Sequence, residues 1–231
     1  MSQAFTTAAT YITRTALGGI PSRTAWTIGA WFKLPASAPG ASAYLFDVGS
    51  NGYGTEFGML RYNIGTGTFR FGHSNNGQNL ASNPAFNQWV YFYLRNDATN
   101  LHCGWKRIAD SVFTTEFQTE YGSGSIGEVR AGGSAFGDSL IMSLYRLSFW
   151  GEAVTDANLL LAAATDLGYT TNLNTHLPLN NGVGSPWNDT SGNSRNWTNS
   201  GTFSDDTDPS LGGGGGGGVP KSNRIALLGV G

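Results

Sequence analysis

The chain has 231 residues, 39% of them hydrophobic and 13% aromatic, enough to core one large β-sandwich. Only 12% are charged, about half the usual share of a globular domain, and the formal net charge is −2. With no Lys/Arg cluster to meet phosphates, nucleic acid is excluded as a partner, and no apolar run approaches the roughly 18 residues of a membrane span, so no membrane insertion is expected.

The opening MSQAFTTAATYITRTALGG has no basic start followed by an apolar run, so no secretory signal is expected. A first strand is predicted over residues 10–15, and Pro21 and Ser22 turn the chain. Residues 26–33, WTIGAWFK, form the clearest strand: Trp26, Ile28, Ala30 and Phe32 share one face, and Thr27, Gly29, Trp31 and Lys33 the other. A further strand covers 44–48 and ends in Gly49-Ser50-Asn51-Gly52, where Asn-Gly marks a tight turn. Residues 57–64 and 68–72 read as a hairpin, followed by a polar loop to Asn83.

Residues 89–95, WVYFYLR, are apolar on both faces and belong in the middle of a sheet. A polar turn over 96–100 leads into a strand at 101–106, and strands are also expected at 112–117 and 125–130. Cys103, the only cysteine, permits no intrachain disulfide; it reads as a small buried hydrophobe, with a reactive thiol or an intermolecular bridge as alternatives. In the strand that follows, Leu147 and Phe149 point one way and Arg146 and Ser148 the other. Thr155 is then a helix N-cap, Asp156 places charge at the positive end of the helix, and Gly168 is the expected terminator.

Leu144, Leu147, Phe149, Trp150, Ala153, Val154 and Thr155 follow without a gap the closing strand and short helix of the laminin-G-like, concanavalin A-like jelly rolls, which the chain therefore resembles. Residues 26–33 resemble that family's early Phe-Thr-Ile-x-Ala-Trp-Val-Lys strand, and Trp105 takes the place of an aromatic residue before a tight turn. The family's acidic pair is replaced here by Tyr145 and Arg146, and its Asn by Gly151. The resemblance implies an all-β, concanavalin A-like jelly-roll sandwich with one short helix.

Residues 176–203 resemble the segment that usually opens such domains, so a circular permutation is expected to place them in the same sandwich. Residues 1–205 are thus read as one jelly-roll domain, and 206–231 as a glycine-rich linker with an apolar tail peptide. The tail is either a disordered terminus or a docking peptide that adds an edge strand to its own domain or a neighbour, with Ile225, Leu227, Leu228 and Val230 as the docking residues.

The glucanase motif Glu-x-Asp-x-Glu is absent. Glu116 and Glu120 would share a strand face about 13 Å apart, too far for glycoside hydrolysis, and His73, His102 and His176 lack metal-ligand spacing. The chain is therefore expected not to be an enzyme. No cofactor is expected, with Ca²⁺ left open at Asp47, Asp138 and Asp189, although Asp189 to Asn193 reads equally as an Asx turn.

Sugar binding needs exposed aromatic faces with amide and carboxylate partners. Tyr53, Trp187, Asn188, Asp189, Asn193 and Trp197 are the candidates; alternatively, both tryptophans cover a sandwich edge. Trp26, Trp89 and Trp150 are assigned to the core. Two functions remain. One is a structural virion protein, a bacteriophage capsid decoration or fibre component that self-associates or binds other virion proteins, which reconciles a lectin-like fold with the missing export signal. The other is a carbohydrate-binding module or adhesin for surface glycans.

Overall fold

The computed structural model describes residues 11–15, 25–49, 56–73, 76–119, 126–133, 142–179, 187–200, 203–204, 209, 211 and 225–227. Along them run strands β1 (Tyr11–Thr15), β2 (Trp26–Lys33), β3 (Ala43–Gly49), β4 (Glu56–Asn63), β5 (Thr68–Gly72), β6 (Gln78–Asn79), β7 (Trp89–Asn96), β8 (Asn100–Arg107), β9 (Thr114–Thr119), β10 (Glu128–Ala131) and β11 (Met142–Trp150). Helix α1 (Asp156–Ala164) follows, then β12 (Leu173–Leu177), β13 (Thr198–Ser200), β14 (Phe203–Ser204) and β15 (Ile225–Leu227). They form two antiparallel sheets, one of seven strands in the order β13-β1-β10-β3-β4-β5-β6 and one of eight, seven of them in the order β14-β15-β11-β2-β7-β8-β9 and the eighth, β12, paired to β11. The architecture is a jelly-roll β-sandwich carrying one short helix.

Period-2 alternation decides what enters the space between the sheets. Trp26, Ile28, Ala30 and Phe32 of β2, Val90, Phe92 and Leu94 of β7, and Leu101, Cys103 and Trp105 of β8 all join the central core. Burial pushes the Cys103 thiol pKa up, helped by the nearby Glu116 charge, so it stays a neutral packing group. Strand β7 pairs with β2 on one side and β8 on the other, as its two apolar faces require.

Strand β11 needs a local irregularity to stay in register with the core. Leu144 and Leu147 both face the core, although strict alternation would put them on opposite faces. The pairing with β2 shifts between Tyr145 and Ser148, and Arg146 sits there at φ 51°. This bulge inserts the extra residue that returns Leu147 and Phe149 inward.

Helix α1 lies over the outer face of the eight-stranded sheet. Thr155 caps it, its hydroxyl accepting from the Asn158 N–H at 3.4 Å. Asp156 in the first turn accepts from Arg95 at 2.7 Å and from the Tyr93 hydroxyl at 3.1 Å, tying the helix start to β7. The C-cap is Thr165, whose N–H reaches the Leu161 carbonyl, rather than Gly168. Gly168 is needed for another reason: a Cβ there would collide with that same carbonyl.

Under the helix, Trp31, Tyr91, Tyr93, Trp150, Val154, Leu159, Ala162, Ala163 and Leu173 form a second buried cluster. Tyr93 lies over Gly104 and Tyr91 over Gly29, and a Cβ at either glycine would strike the ring. The Trp31 indole N–H donates to the Ala163 carbonyl at 2.9 Å, and that of Trp150 to the Tyr169 carbonyl at 3.2 Å.

Within residues 176–203, His176 and Leu177 belong to β12 in the eight-stranded sheet, while β13 borders β1 in the seven-stranded one. Thr10, the turns at 21–22 and 51–52, Glu120, Asp138 and residues 212–224 lie outside the described residues.

Replacing Gly104 by alanine must move the Tyr93 ring. Urea unfolding of Gly104→Ala should show a loss of about 1–3 kcal/mol, the range for overpacking a well-filled site. A change within about 0.5 kcal/mol would show that the tyrosine does not rest on this glycine.

Candidate functional site

The outer face of the eight-stranded sheet is built in rows by the strand register. One row runs Tyr145, Trp31, Tyr91 and Lys106 across β11, β2, β7 and β8. The next row toward the sheet end brings together Ser143, Lys33 and Trp89. Helix α1 covers the first row, and Trp31, Tyr91 and Lys106 are buried there. At the second row Trp89 is half-buried.

Trp89 is the one tryptophan of the seven that is not buried. Its ring meets Tyr145 edge-on with centroids 6.4 Å apart, and the Arg146 guanidinium lies 4.9 Å from the centre of the Tyr145 ring. Beside it, Gln88, Trp89, Arg107, Ile108 and Ala109 line an open pocket of about 330 Å³. The Arg107 guanidinium is held in place by Asp110, with Nη2 to Oδ1 at 2.8 Å and Nε to Oδ2 at 3.0 Å. Hydrogen bonding to Arg107 keeps the Asp110 carboxyl below its ordinary pKa despite some burial. Lys106 passes beneath: its ammonium lies 5.4 Å from the centre of the Trp31 ring and donates to the Arg107 carbonyl at 3.0 Å. Desolvation lowers its pKa, opposed by the nearby Asp110 charge.

Assigning Trp89 to the core is thus corrected. It alternates with Tyr91, Tyr93 and Arg95 on the outer face, where it packs half-buried against the cluster under α1. A tryptophan opening a strand directly after a polar loop, in phase with an arginine, was the available signal.

The expected sugar-binding loop is arranged differently from the sequence reading. Trp187 and Trp197 are 1% and 0% exposed and belong to the central core, so neither offers a stacking face. They form an antiparallel bridge with each other, and the Trp197 indole donates to Thr175 Oγ1 at 3.2 Å. Asp189 accepts from the backbone N–H groups of His176, Ser191 and Arg195 at 2.8–2.9 Å. Burial alone would raise its pKa, but those donors prevail and hold it below the ordinary carboxylate range. Asn193 donates to the Leu173 and Asn174 carbonyls. These polar groups therefore fold the loop itself. Asn188 is exposed, and Tyr53 lies outside the described residues.

Of the three aspartates weighed for calcium, Asp47 is buried against Arg130 at 3.2 Å and Asp189 is engaged as above. Among the described residues no group of three or more His, Cys, Asp or Glu is placed to hold a metal ion. Glu116 accepts from the Ala81 N–H at 2.8 Å, and His102 meets Asp97 at 2.8 Å.

Ser148, His176 and Asp166 form a hydrogen-bonded chain that was not legible in the sequence. Ser148 Oγ lies 2.7 Å from His176 Nδ1, and His176 Nε2 lies 2.7 Å from Asp166 Oδ1. The ionised carboxylate only accepts, so Nε2 carries the proton and Nδ1 accepts from the serine in the neutral ring. The order relative to solvent is opposite to a hydrolase triad: the Asp166 side chain is 49% exposed, while Ser148 is 5% exposed. A serine so enclosed cannot meet a substrate. The chain ties β11 to β12 and to the turn after α1.

No family model matches the sequence, and no curated protein matches it. Solved structures share the fold. A Bacteroides ovatus protein provisionally described as carbohydrate-binding aligns with a TM-score of 0.57 at 13% identity, over 84% of this chain and 59% of its own. A heptameric SAP-like pentraxin from Limulus polyphemus aligns with a TM-score of 0.50 at 13% identity, over 69% of this chain and 77% of its own. A Trypanosoma rangeli sialidase aligns with a TM-score of 0.47 at 13% identity, over 63% of this chain and 23% of its own. The chain thus spans less than two thirds of the first of these and less than a quarter of the last. Sandwiches of lectin-like jelly-roll type are what it resembles. The expectation that the chain is not an enzyme is corrected: a sialidase is among the similar solved structures, and a missing Glu-x-Asp-x-Glu motif in any case removes one hydrolytic arrangement and not catalysis as such. At this identity the likeness shows the fold alone and assigns no activity. No helix among the described residues is long and apolar enough to cross a membrane.

The hydrogen bond from His176 holds the Asp166 carboxyl below its ordinary pKa, against the opposing effect of partial burial. A depressed carboxylate stabilises the fold fully above its unfolded value of about 4, and that contribution fades as pH falls through the lower folded value. Asp166→Asn should therefore flatten the loss of stability as pH falls below about 4 in urea titrations. An unchanged acid limb would contradict the link.

Proposed function

We propose that this domain binds carbohydrate at the pocket beside Trp89, on the outer face of its eight-stranded sheet. The observation that carries the reading is the state of that one ring. It is half-buried and held edge-on by Tyr145, with Gln88 and Arg107 on the pocket wall, while six other tryptophans are buried. A sugar offers C–H faces to an aromatic ring and hydroxyls to amide and guanidinium groups, and a concave site with few polar groups suits it. Arg107 lines the pocket, held by Asp110, and Lys33 stands opposite Trp89 in the β2–β7 register; basic groups so placed favour a sugar bearing a carboxylate or sulfate. Such a site draws on no cofactor, and assays with a chelator test whether calcium contributes.

Within the jelly rolls, the β2 and β11 motifs support a laminin-G-like assignment. A structural role on a virus particle, as a bacteriophage decoration or fibre component, is supported by the sparse surface charge and by the C-terminal strand paired into the sheet. In that setting the Trp89 pocket would hold the particle to host-surface glycans.

Glycan-array screening of the full chain, repeated with Trp89→Ala, tests the site. The variant should lose roughly tenfold or more in affinity, about 1.4 kcal/mol, while its melting temperature stays close to that of the parent. Equal retention of both proteins on the same glycans would overturn the assignment.

A further inference from the structure

The edge of β11 that faces away from β2 is filled in two parts. Strand β12 pairs along residues 147–150, and β15 pairs with Met142, Ser143 and Leu144 through Leu227, Ala226 and Ile225. Strand β15 is not the end of the sheet, because β14 pairs on its far side, Phe203 with Leu227 and Ser204 with Ala226. Three residues from the C-terminal segment therefore fill a slot between two other strands.

The connection to that strand is out of proportion to what it joins. Strands β14 and β15 are antiparallel neighbours, and such neighbours are ordinarily linked by about two to five residues. Here residues 205–224 intervene, and 212–218 are all glycine. Loop-closure entropy makes seating the strand across so long a connection about tenfold less favourable than across a hairpin loop. The same connection can span roughly 65 Å when extended, beyond the ~45 Å width of a domain this size. A strand delivered from a neighbouring copy would make every backbone hydrogen bond that the chain's own strand makes.

We propose that the slot between β11 and β14 is a strand-acceptor site whose occupant in solution is the Ile225–Leu227 strand of a second copy, so that chains are linked by reciprocal exchange of their C-terminal strands. The inference is independent of sugar binding at Trp89.

The Ser143–Ala226 pairing supplies the test. Full-length Ser143→Cys and Ala226→Cys chains carrying tags of different size are co-expressed and oxidised. Exchange gives a disulfide-linked heterodimer on a non-reducing gel. Its absence, with a single chain carrying both substitutions closing only on itself, overturns the proposal. Light scattering of the unmodified chain and of Ala226→Pro gives a second readout, since proline removes a ladder donor from an interior strand. A dimer that becomes monomeric on substitution supports exchange; a parent chain that is monomeric at all concentrations, or a dimer unaffected by Ala226→Pro, overturns it.

Discussion

The outer face of the eight-stranded sheet depends on two tyrosine rings resting on two glycines. Tyr93 lies over Gly104 and Tyr91 over Gly29, so the rings stay low enough for α1 to pack above them. Phe113 closes against both, with centroids 5.0 Å from Tyr93 and 6.0 Å from Tyr91, and Trp31 meets Tyr91 edge-on at 5.4 Å. Burial pushes both phenol pKa values up, so the platform stays uncharged at any physiological pH. Trp89 packs at the margin of this cluster and stays half-buried. The candidate site lies at the half-buried margin of a face that is otherwise a second core.

Much of this arrangement was legible in the sequence, because period-2 alternation is a geometric rule. The two faces of β2 divide as its residues dictate, Thr155 caps the helix, and the jelly-roll sandwich follows from the same strands. Alternation does not say what covers each face, however. In β7 both faces are largely apolar, so the only local mark that separates Trp89 from the core is that it opens its strand in phase with Arg95. The bulge at Arg146 was hidden for a related reason: its cause is the spacing of core partners on either side, not the arginine itself.

The loop containing Trp187 and Trp197 misled in the opposite direction. Its Asn, Asp, Ser and Gly residues suggest an exposed binding surface, but they are consumed in folding it. Three backbone donors converge on Asp189, and the amide of Asn193 bridges two carbonyls near the start of β12. That network lets the chain turn sharply enough to drive both indoles inward. Polar composition there reflects the hydrogen bonds of a tight loop more than contact with a partner.

The most direct test of the outer face as the binding face is an indole N–H NMR titration. All seven tryptophan side-chain resonances are followed as an oligosaccharide bearing a carboxylate or sulfate is added. A shift concentrated on Trp89, with Trp187 and Trp197 unmoved, is the expected result. Shifts at Trp187 or Trp197 instead, with Trp89 unmoved, would contradict it and return the site to the loop that the sequence first suggested.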